Sequence, residues 1–94
     1  MIWFSGTNIK EIKSPVIGIF YDAAISELHE EYNPKPYVEV GSPVTPETII
    51  CEIEALAVML PVKAEVYGTI EEKLVCSGEA VDYGQVLFKI NSSG

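Results

Sequence analysis

Short alternations of apolar and polar residues, separated by Gly, Pro and polar turns, run through most of this chain. In the stretch 49–54, Ile49, Cys51 and Ile53 alternate with the residues between them, which is the period-two pattern of a strand with one buried face. Residues 86–90 repeat this alternation. The pattern predicts a series of short β-strands, with Cys51 facing inward as a small core residue.

The second half of the sequence echoes the first, which indicates an internal duplication. Gly41 and Gly78 fall at equivalent turns, where a residue without Cβ can adopt a positive φ. Two matching all-β halves predict a small sandwich or flattened barrel with pseudo-twofold symmetry. The matching segments are 13–18 with 63–68, 38–44 with 75–81, and 49–53 with 86–90.

The offset between matching segments falls from 50 to 37 residues, so the first half carries 13 extra residues. They belong to an acidic insert at 21–36, in which Ala24, Leu28 and Tyr32 follow at helical spacing. This spacing predicts either a short helical turn that ends at Asn33-Pro34 or a plain surface loop. Long loops in compact domains are disproportionately functional.

Composition narrows the classes of partner. The 94 residues carry a net charge of −8, and their six positive charges are all lysines. Without the arginine forks that commonly grip phosphates and guanine edges, nucleic acid is not expected as a partner. The apolar runs are too short to span a membrane, and the start has no basic region typical of a secretory signal. We therefore expect a cytoplasmic protein, with an organellar one as the alternative.

No set of residues typical of an enzyme stands out. His29 is the only histidine, it lies within the insert, and we interpret it as a solvated side chain. Cys51 and Cys76 have a spacing that suggests neither a metal site nor a disulfide framework. We therefore predict a non-catalytic domain without a metal ligand set.

The joint between the two halves, 55–62, is almost entirely apolar. It lacks the Asn-Gly or Asp-Gly pairs that tight exposed hairpins usually contain. Two interpretations are open. Either the joint is an apolar tip that docks against a partner, or its residues continue a buried strand.

The chain resembles the biotinyl domain of multisubunit acetyl-CoA carboxylases. The resemblance covers nearly everything after the first dozen residues, and it implies a barrel-sandwich hybrid of two quasi-symmetric four-stranded antiparallel sheets. It also implies a lead-in at 1–11, a biotinyl domain at 12–92, a thumb-like insert at 21–36, and a hairpin at 55–62. The segments that carry it are 12–15, 18–21, 38–41, 51–59, 63–65, 68–70, 81–85 and 88–90.

The biotinyl family has Ala-Met-Lys-Met, or a close variant, where this chain has Ala55-Leu56-Ala57-Val58-Met59. The resemblance implies that Ala57 occupies the position of the biotin-bearing lysine, flanked by Leu56 and Val58. It also implies recognition by partners or the ligase through Glu54, Ala55 and Met59. The family's cofactor is biotin, its partners are biotin carboxylase, carboxyltransferase and biotin protein ligase, and its pathway is fatty acid synthesis. A methyl group cannot form the biotin amide, so none of that cofactor is expected on this chain.

Two explanations of the missing lysine are open. The first is a natural lysine-less relative with a binding or regulatory role. Leu60-Pro61 favours it, because the family usually has Asn and an acidic or amide residue there. The second is a genuine carrier domain whose lysine was deliberately changed to alanine, favoured by the otherwise intact signature. In either case Pro61 removes a backbone donor, which predicts an edge strand or a bulge at that position.

Overall fold

The structure is a computed structural model that describes residues 8–24 and 35–92. These residues form eight β-strands, and among them no helix is long and apolar enough to cross a membrane. The strands are β1 (Ile9–Lys13), β2 (Gly18–Tyr21), β3 (Pro43–Val44), β4 (Ile49–Ala55), β5 (Val58–Lys63), β6 (Gly68–Lys73), β7 (Ala80–Val81) and β8 (Val86–Asn91).

The strands form two four-stranded sheets that do not close into a barrel. Sheet I has the order β1-β8-β6-β3 and sheet II the order β5-β4-β2-β7, with every pairing antiparallel. Each sheet takes two strands from each half of the sequence, so neither half is a separate unit. This arrangement confirms the expected all-β fold of two quasi-symmetric antiparallel sheets.

The core lies between the two sheets and joins both halves of the chain. Phe20 of β2 and Phe88 of β8 are fully enclosed, with ring centroids 5.9 Å apart and ring planes tilted by 45°. Burial of large apolar side chains from both sheets is the main stabilising contribution to such a fold. The other core side chains are Ile12, Val38, Val44, Ile50, Cys51, Ile53, Val62, Ala64, Ile70, Val75, Val81, Leu87 and Ile90.

The strict alternation predicted for β4 and β8 is wrong at one position in each strand. Ile50 was expected to face away from Cys51, yet both are buried, and Leu87 is likewise buried next to Phe88. The strand register shifts between Ile49 and Cys51 and, in the β1–β8 pairing, opposite Leu87. A β-bulge at each position inserts an extra residue and turns it toward the core.

Two glycines allow close approach between neighbouring strands in equivalent places. A Cβ on Gly18 would collide with the carbonyl oxygen of Glu54 and approach Ile53 Cγ2 to 2.7 Å. A Cβ on Gly68 would meet the carbonyl oxygen of Asn91 and approach Ile90 Cγ2 to 2.9 Å. The duplication therefore preserves a close contact between strands that requires a residue without Cβ at each of these positions.

The glycines predicted to allow positive φ also behave alike. Gly41 has φ 96° and Gly78 has φ 95°, each in the turn that precedes a short strand. That geometry is the one expected from the sequence for residues without Cβ.

The insert is described only at its two ends. The possible helical turn at Leu28 and Tyr32, and the solvated side chain expected for His29, lie outside the described residues. At the base of the insert, Tyr37 N donates a 2.8 Å hydrogen bond to the carbonyl oxygen of Asp22. At the start of the chain, residues 9–11 of the segment expected as a lead-in belong to β1.

Candidate functional site

The joint between the halves is a tight β-hairpin rather than a long loop. Ala55 of β4 pairs with Val58 of β5, so the turn consists of Leu56 and Ala57 alone. Their φ angles are 52° and 67°, and two successive positive φ values are typical of a type I′ turn. We call these two residues the hairpin tip. Asn and Gly are the residues that favour this turn, so Leu56-Ala57 does not predict it.

The hairpin tip projects into solvent. The side chain of Leu56 is 98% exposed, Ala57 is exposed, and Val58 is 55% exposed. The possibility that Leu56 and Val58 continue a buried strand is therefore wrong. A group attached at position 57 would stand clear of the fold and be accessible to a second protein.

The strands below the tip form a rigid base. β4 lies inside sheet II and pairs with β2 on one side and β5 on the other. Its Cys51 and Ile53 are fully buried, and burial raises the pKa of the Cys51 thiol to about 12. The inward position predicted for Cys51 is confirmed, and its protonated thiol behaves as an apolar core group.

The outer face of sheet II near the tip is acidic and carries two tyrosines. Tyr21 donates a 3.4 Å hydrogen bond to Glu54 Oε1, and Tyr37 donates one to Glu52 Oε2. Tyr37 follows the insert, so the second of these bonds ties the end of the insert to the strand that leads to the tip. Of the predicted recognition residues, Glu54 lies directly opposite Met59, and directly opposed residues share a face.

Pro61 lies in the outer strand of sheet II, where the sequence predicted that it would be tolerated. β5 forms the edge of the sheet, and Pro61 lies opposite Glu52. An edge strand has backbone donors with no partner strand, so the missing N–H of proline need not break the ladder.

The insert is fixed at its base by a small polar cluster. The backbone N–H of Asp22 donates to Ser77 Oγ at 2.8 Å, Ser77 Oγ donates to Asp22 Oδ1 at 2.7 Å, and Lys73 pairs with Asp22 Oδ2. Desolvation of Asp22 opposes ionisation, but the bonds from Lys73 and Ser77 outweigh it and lower the pKa of this carboxyl. No pattern in the sequence indicates this cluster, because Asp22 lies about 50 residues from Lys73 and Ser77.

None of the six lysines lies at the tip. Lys63 is at the far end of β5, opposite Ile49, and its Nζ donates to Glu47 Oε1 at 2.7 Å. Lys89 pairs with Glu72 at 3.8 Å on sheet I. Lys10, Lys13 and Lys35 also lie outside the hairpin.

The two ends of the described chain meet at the opposite side of the molecule from the tip. Ile9 pairs with Asn91, and Ser92 N donates a 2.8 Å hydrogen bond to the carbonyl oxygen of Asn8. β1 runs away from this pair to Lys13 and leads through a short turn to Gly18, which touches Glu54 beside the tip. A tether attached at either end of the described chain would leave the tip unobstructed.

Comparison with known proteins places this architecture in a family. The family model Biotin_lipoyl, described as "Biotin-requiring enzyme", matches residues 10–90. The chain belongs to the Biotin_lipoyl family. The match includes all the strands except the outermost residues of β1 and β8, so it covers nearly the whole of the described chain.

Relatives of this Biotin_lipoyl chain include biotin carboxyl carrier proteins of acetyl-CoA carboxylase. That of Pseudomonas aeruginosa is 40% identical over 83 residues, which cover 88% of this chain and 49% of the relative. That of Chlamydia muridarum is 38% identical over 79 residues, covering 84% and 45%. That of Porphyra purpurea is 37% identical over 86 residues, covering 92% and 51%. The chain thus spans about half the length of these relatives.

Proposed function

We propose that this chain is a non-catalytic carrier-type domain of acetyl-CoA carboxylase that keeps the docking hairpin but does not accept biotin. The observation that carries this proposal is Ala57, a methyl side chain at the exposed second position of the tip. An amide with biotin requires a primary amine, which a methyl group cannot supply. The residues present therefore do not fit the cofactor, and we assign no carboxyl transfer to this chain.

A natural binding or regulatory role follows best from the hairpin as it stands. Leu60 and Pro61 depart from the family pattern, yet both fit an edge strand whose pairing with β4 is complete. Such a domain would occupy the carrier's place against biotin carboxylase or carboxyltransferase and lower the activity of the complex. Fatty acid synthesis in the cytoplasm would be the process affected.

Recognition by these partners, or by biotin protein ligase, would involve Glu54, Ala55 and Met59 together with Leu56 and Val58. Their places in the fold support this assignment, because all five lie within three residues of Ala57 along the hairpin. Glu54 and Met59 share the outer face of sheet II.

A genuine carrier with a replaced lysine is the second candidate. The observation in its favour is the intact tip, which presents position 57 to solvent in a regular two-residue turn. In that case restoring the amine alone would restore biotin attachment.

Intact-mass measurement tests whether the chain accepts biotin. The unaltered chain, the Ala57→Lys variant and a Val58→Lys variant are incubated with active biotin ligase, biotin and ATP. We expect no mass gain for the unaltered chain, and a gain of one biotin by it would overturn the proposal. Val58→Lys is the matched control, since it supplies an amine one residue from the required position.

The Ala57→Lys result separates the two candidates. If this variant is folded but stays unmodified, the hairpin has lost ligase recognition, and the binding role is supported. If it is biotinylated efficiently while Val58→Lys is not, the chain is a carrier that lacks only its lysine.

A competition assay tests the binding role directly. Increasing amounts of the unaltered chain are added to an acetyl-CoA carboxylase reaction that contains a biotinylated carrier. We expect the rate to fall with the concentration of added chain, and the fall to disappear with the Leu56→Asp variant. An unchanged rate at saturating concentrations would argue against this role.

A further inference from the structure

Three separate segments of the chain meet at the hairpin end of the molecule. In the β2–β4 pairing Ile19 lies opposite Glu54, and Gly18 approaches the carbonyl oxygen of Glu54, so the turn that ends at Ile17 lies at the same end of sheet II as the hairpin tip. The turn 14–17 is joined to the turn 82–85 by two backbone hydrogen bonds, Ser14 N to Gln85 O at 2.9 Å and Gly84 N to Ser14 O at 2.8 Å. We call the hairpin tip and these two turns the hairpin end.

Each of these segments presents an exposed apolar side chain. Ile17 is 69% exposed and Tyr83 is 75% exposed, in addition to Leu56 and Val58 of the hairpin. Large apolar side chains that gather on one surface without being covered by the fold mark sites of interaction. Tyrosine is also among the residues enriched in such sites, because it adds an apolar ring and a polar hydroxyl.

The charges around this surface are acidic. Glu54 borders the tip and Asp82 precedes Tyr83, and neither carboxylate joins an ion pair within the described part of the chain. Lys13, the last residue of β1, precedes the turn 14–17 and lines the groove between β1 and β5. The apolar surface therefore has a negative edge, which favours a partner with positive charge around an apolar pocket.

We propose that the docking surface of this domain extends beyond the tip to Ile17 and Tyr83. Its occupant is a protein surface with an apolar pocket that is edged by Lys or Arg. This inference rests on the proposed function and identifies which residues outside the hairpin select the partner. Contact through three segments also explains how the domain can bind without any group attached at position 57.

The test measures the affinity of the full 94-residue chain for the biotin carboxylase and carboxyltransferase subunits of acetyl-CoA carboxylase. The variants are Ile17→Ser, Tyr83→Ser and Leu56→Asp. Tyr67→Ser is the matched control, because Tyr67 is the quasi-symmetric equivalent of Ile17, is 72% exposed, and lies at the opposite end. Thermal unfolding of every variant confirms that each is folded.

We expect Ile17→Ser and Tyr83→Ser each to weaken binding by about 5- to 10-fold, and Leu56→Asp to weaken it more. Tyr67→Ser should bind within about twofold of the unaltered chain. If only Leu56→Asp weakens binding, the docking surface is confined to the tip; the inference fails while the proposed function stands. If neither the unaltered chain nor any variant binds, the proposed function fails as well.

Salt dependence tests the charge of the partner. Binding of the unaltered chain should weaken as NaCl is raised, and Glu54→Gln combined with Asp82→Asn should flatten that dependence. The control is Glu65→Gln combined with Glu71→Gln, which removes the same charge from two exposed carboxylates outside the hairpin end that, like Glu54 and Asp82, join no ion pair within the described residues. Equal effects of the two double variants would overturn the proposal of a basic edge on the partner.

Discussion

The two ends of this molecule are built from equivalent strands but finish differently. At the hairpin end, β4 continues through Leu56 and Ala57 into β5. At the opposite end, the equivalent strand β8 ends at Asn91, and the next residue, Ser92, donates a backbone hydrogen bond to Asn8. Between the ends, each half of the chain contributes an equivalent close-packed glycine and an equivalent β-bulge. The difference shows that the fold does not depend on the hairpin tip for packing, because the side chains of Leu56 and Ala57 are exposed and add nothing to the core.

The largest effect should come from filling the space beside Gly18 or Gly68. Valine at either position would force its Cβ into a backbone carbonyl of the neighbouring strand, and we expect each to lower the free energy of unfolding by about 4 kcal/mol or more. Urea denaturation measures this loss.

The control for these glycines is Gly41→Ala, because a Cβ at Gly41 meets nothing within 4 Å. Its cost should be limited to about 1–2 kcal/mol, from the positive φ alone. A large loss at Gly18 with little loss at Gly68 would show that the two ends are not equivalent in packing.

Truncation of the two bulged core residues should have the next largest effect. Ile50→Ala and Leu87→Ala each remove a fully buried side chain, and each should cost about 3 kcal/mol of unfolding free energy. Similar losses by urea denaturation would confirm that both bulges serve the core, whereas a negligible loss at either would contradict the packing described. Exposed Ile17→Ala is the matched control and should change stability little.

Cys51 and Phe88 occupy equivalent core positions, but only the thiol makes stability depend on pH. The folded state holds the Cys51 proton up to about pH 12, whereas the unfolded chain loses it near the ordinary thiol pKa. The free energy of unfolding therefore falls as pH rises above about 9, and the Cys51 thiol lowers it by about 1 kcal/mol at pH 10. Comparison of unfolding curves for Cys51→Val and the unaltered chain at pH 7 and pH 10 checks this, with Cys76→Ala as the exposed control. An identical pH dependence in all three would contradict it.

The smallest effect should come from the turn itself. Replacing Leu56-Ala57 by Asn-Gly suits the two positive φ angles and should raise unfolding free energy by about 0.5–1 kcal/mol. Glu65→Gly tests the same strain at the opposite end, where φ is 67°, and should act in the same direction. Thermal unfolding measures both changes, and a loss of stability in the Asn-Gly variant would mean that the tip does not adopt this turn.

Much of the fold could be predicted from sequence because the duplication fixed several strands at once. The matched segments placed Gly41 and Gly78 in equivalent turns, and the alternation turned Cys51 inward, as the structure has them. The bulges at Ile50 and Leu87 could not be foreseen, since a period-two pattern assumes a regular register. The tight turn at Leu56-Ala57 was hidden as well, because neither residue is typical of positive φ.

Some residues of the candidate site could likewise be predicted from the sequence, and others could not. The position of residues 54–59 along the chain indicated an important segment, and their sequence pattern indicated the family. Ile17 and Tyr83 could not be found from the sequence, because only the register of β2 and the bonds between two turns bring them beside the hairpin. The Asp22, Ser77 and Lys73 cluster was likewise invisible, since it joins distant parts of the chain.

The bond between Ser92 and Asn8 has a practical consequence for protein engineering. Entry and exit points that lie side by side allow a domain to be inserted into a surface loop of a host protein without stretching that loop. The end of the inserted domain that carries Asn8 and Ser92 would face the host, and Leu56 and Ala57 would be exposed at the opposite end. Peptide epitopes or reactive residues grafted at these two positions would then be held by a folded domain, away from the host surface.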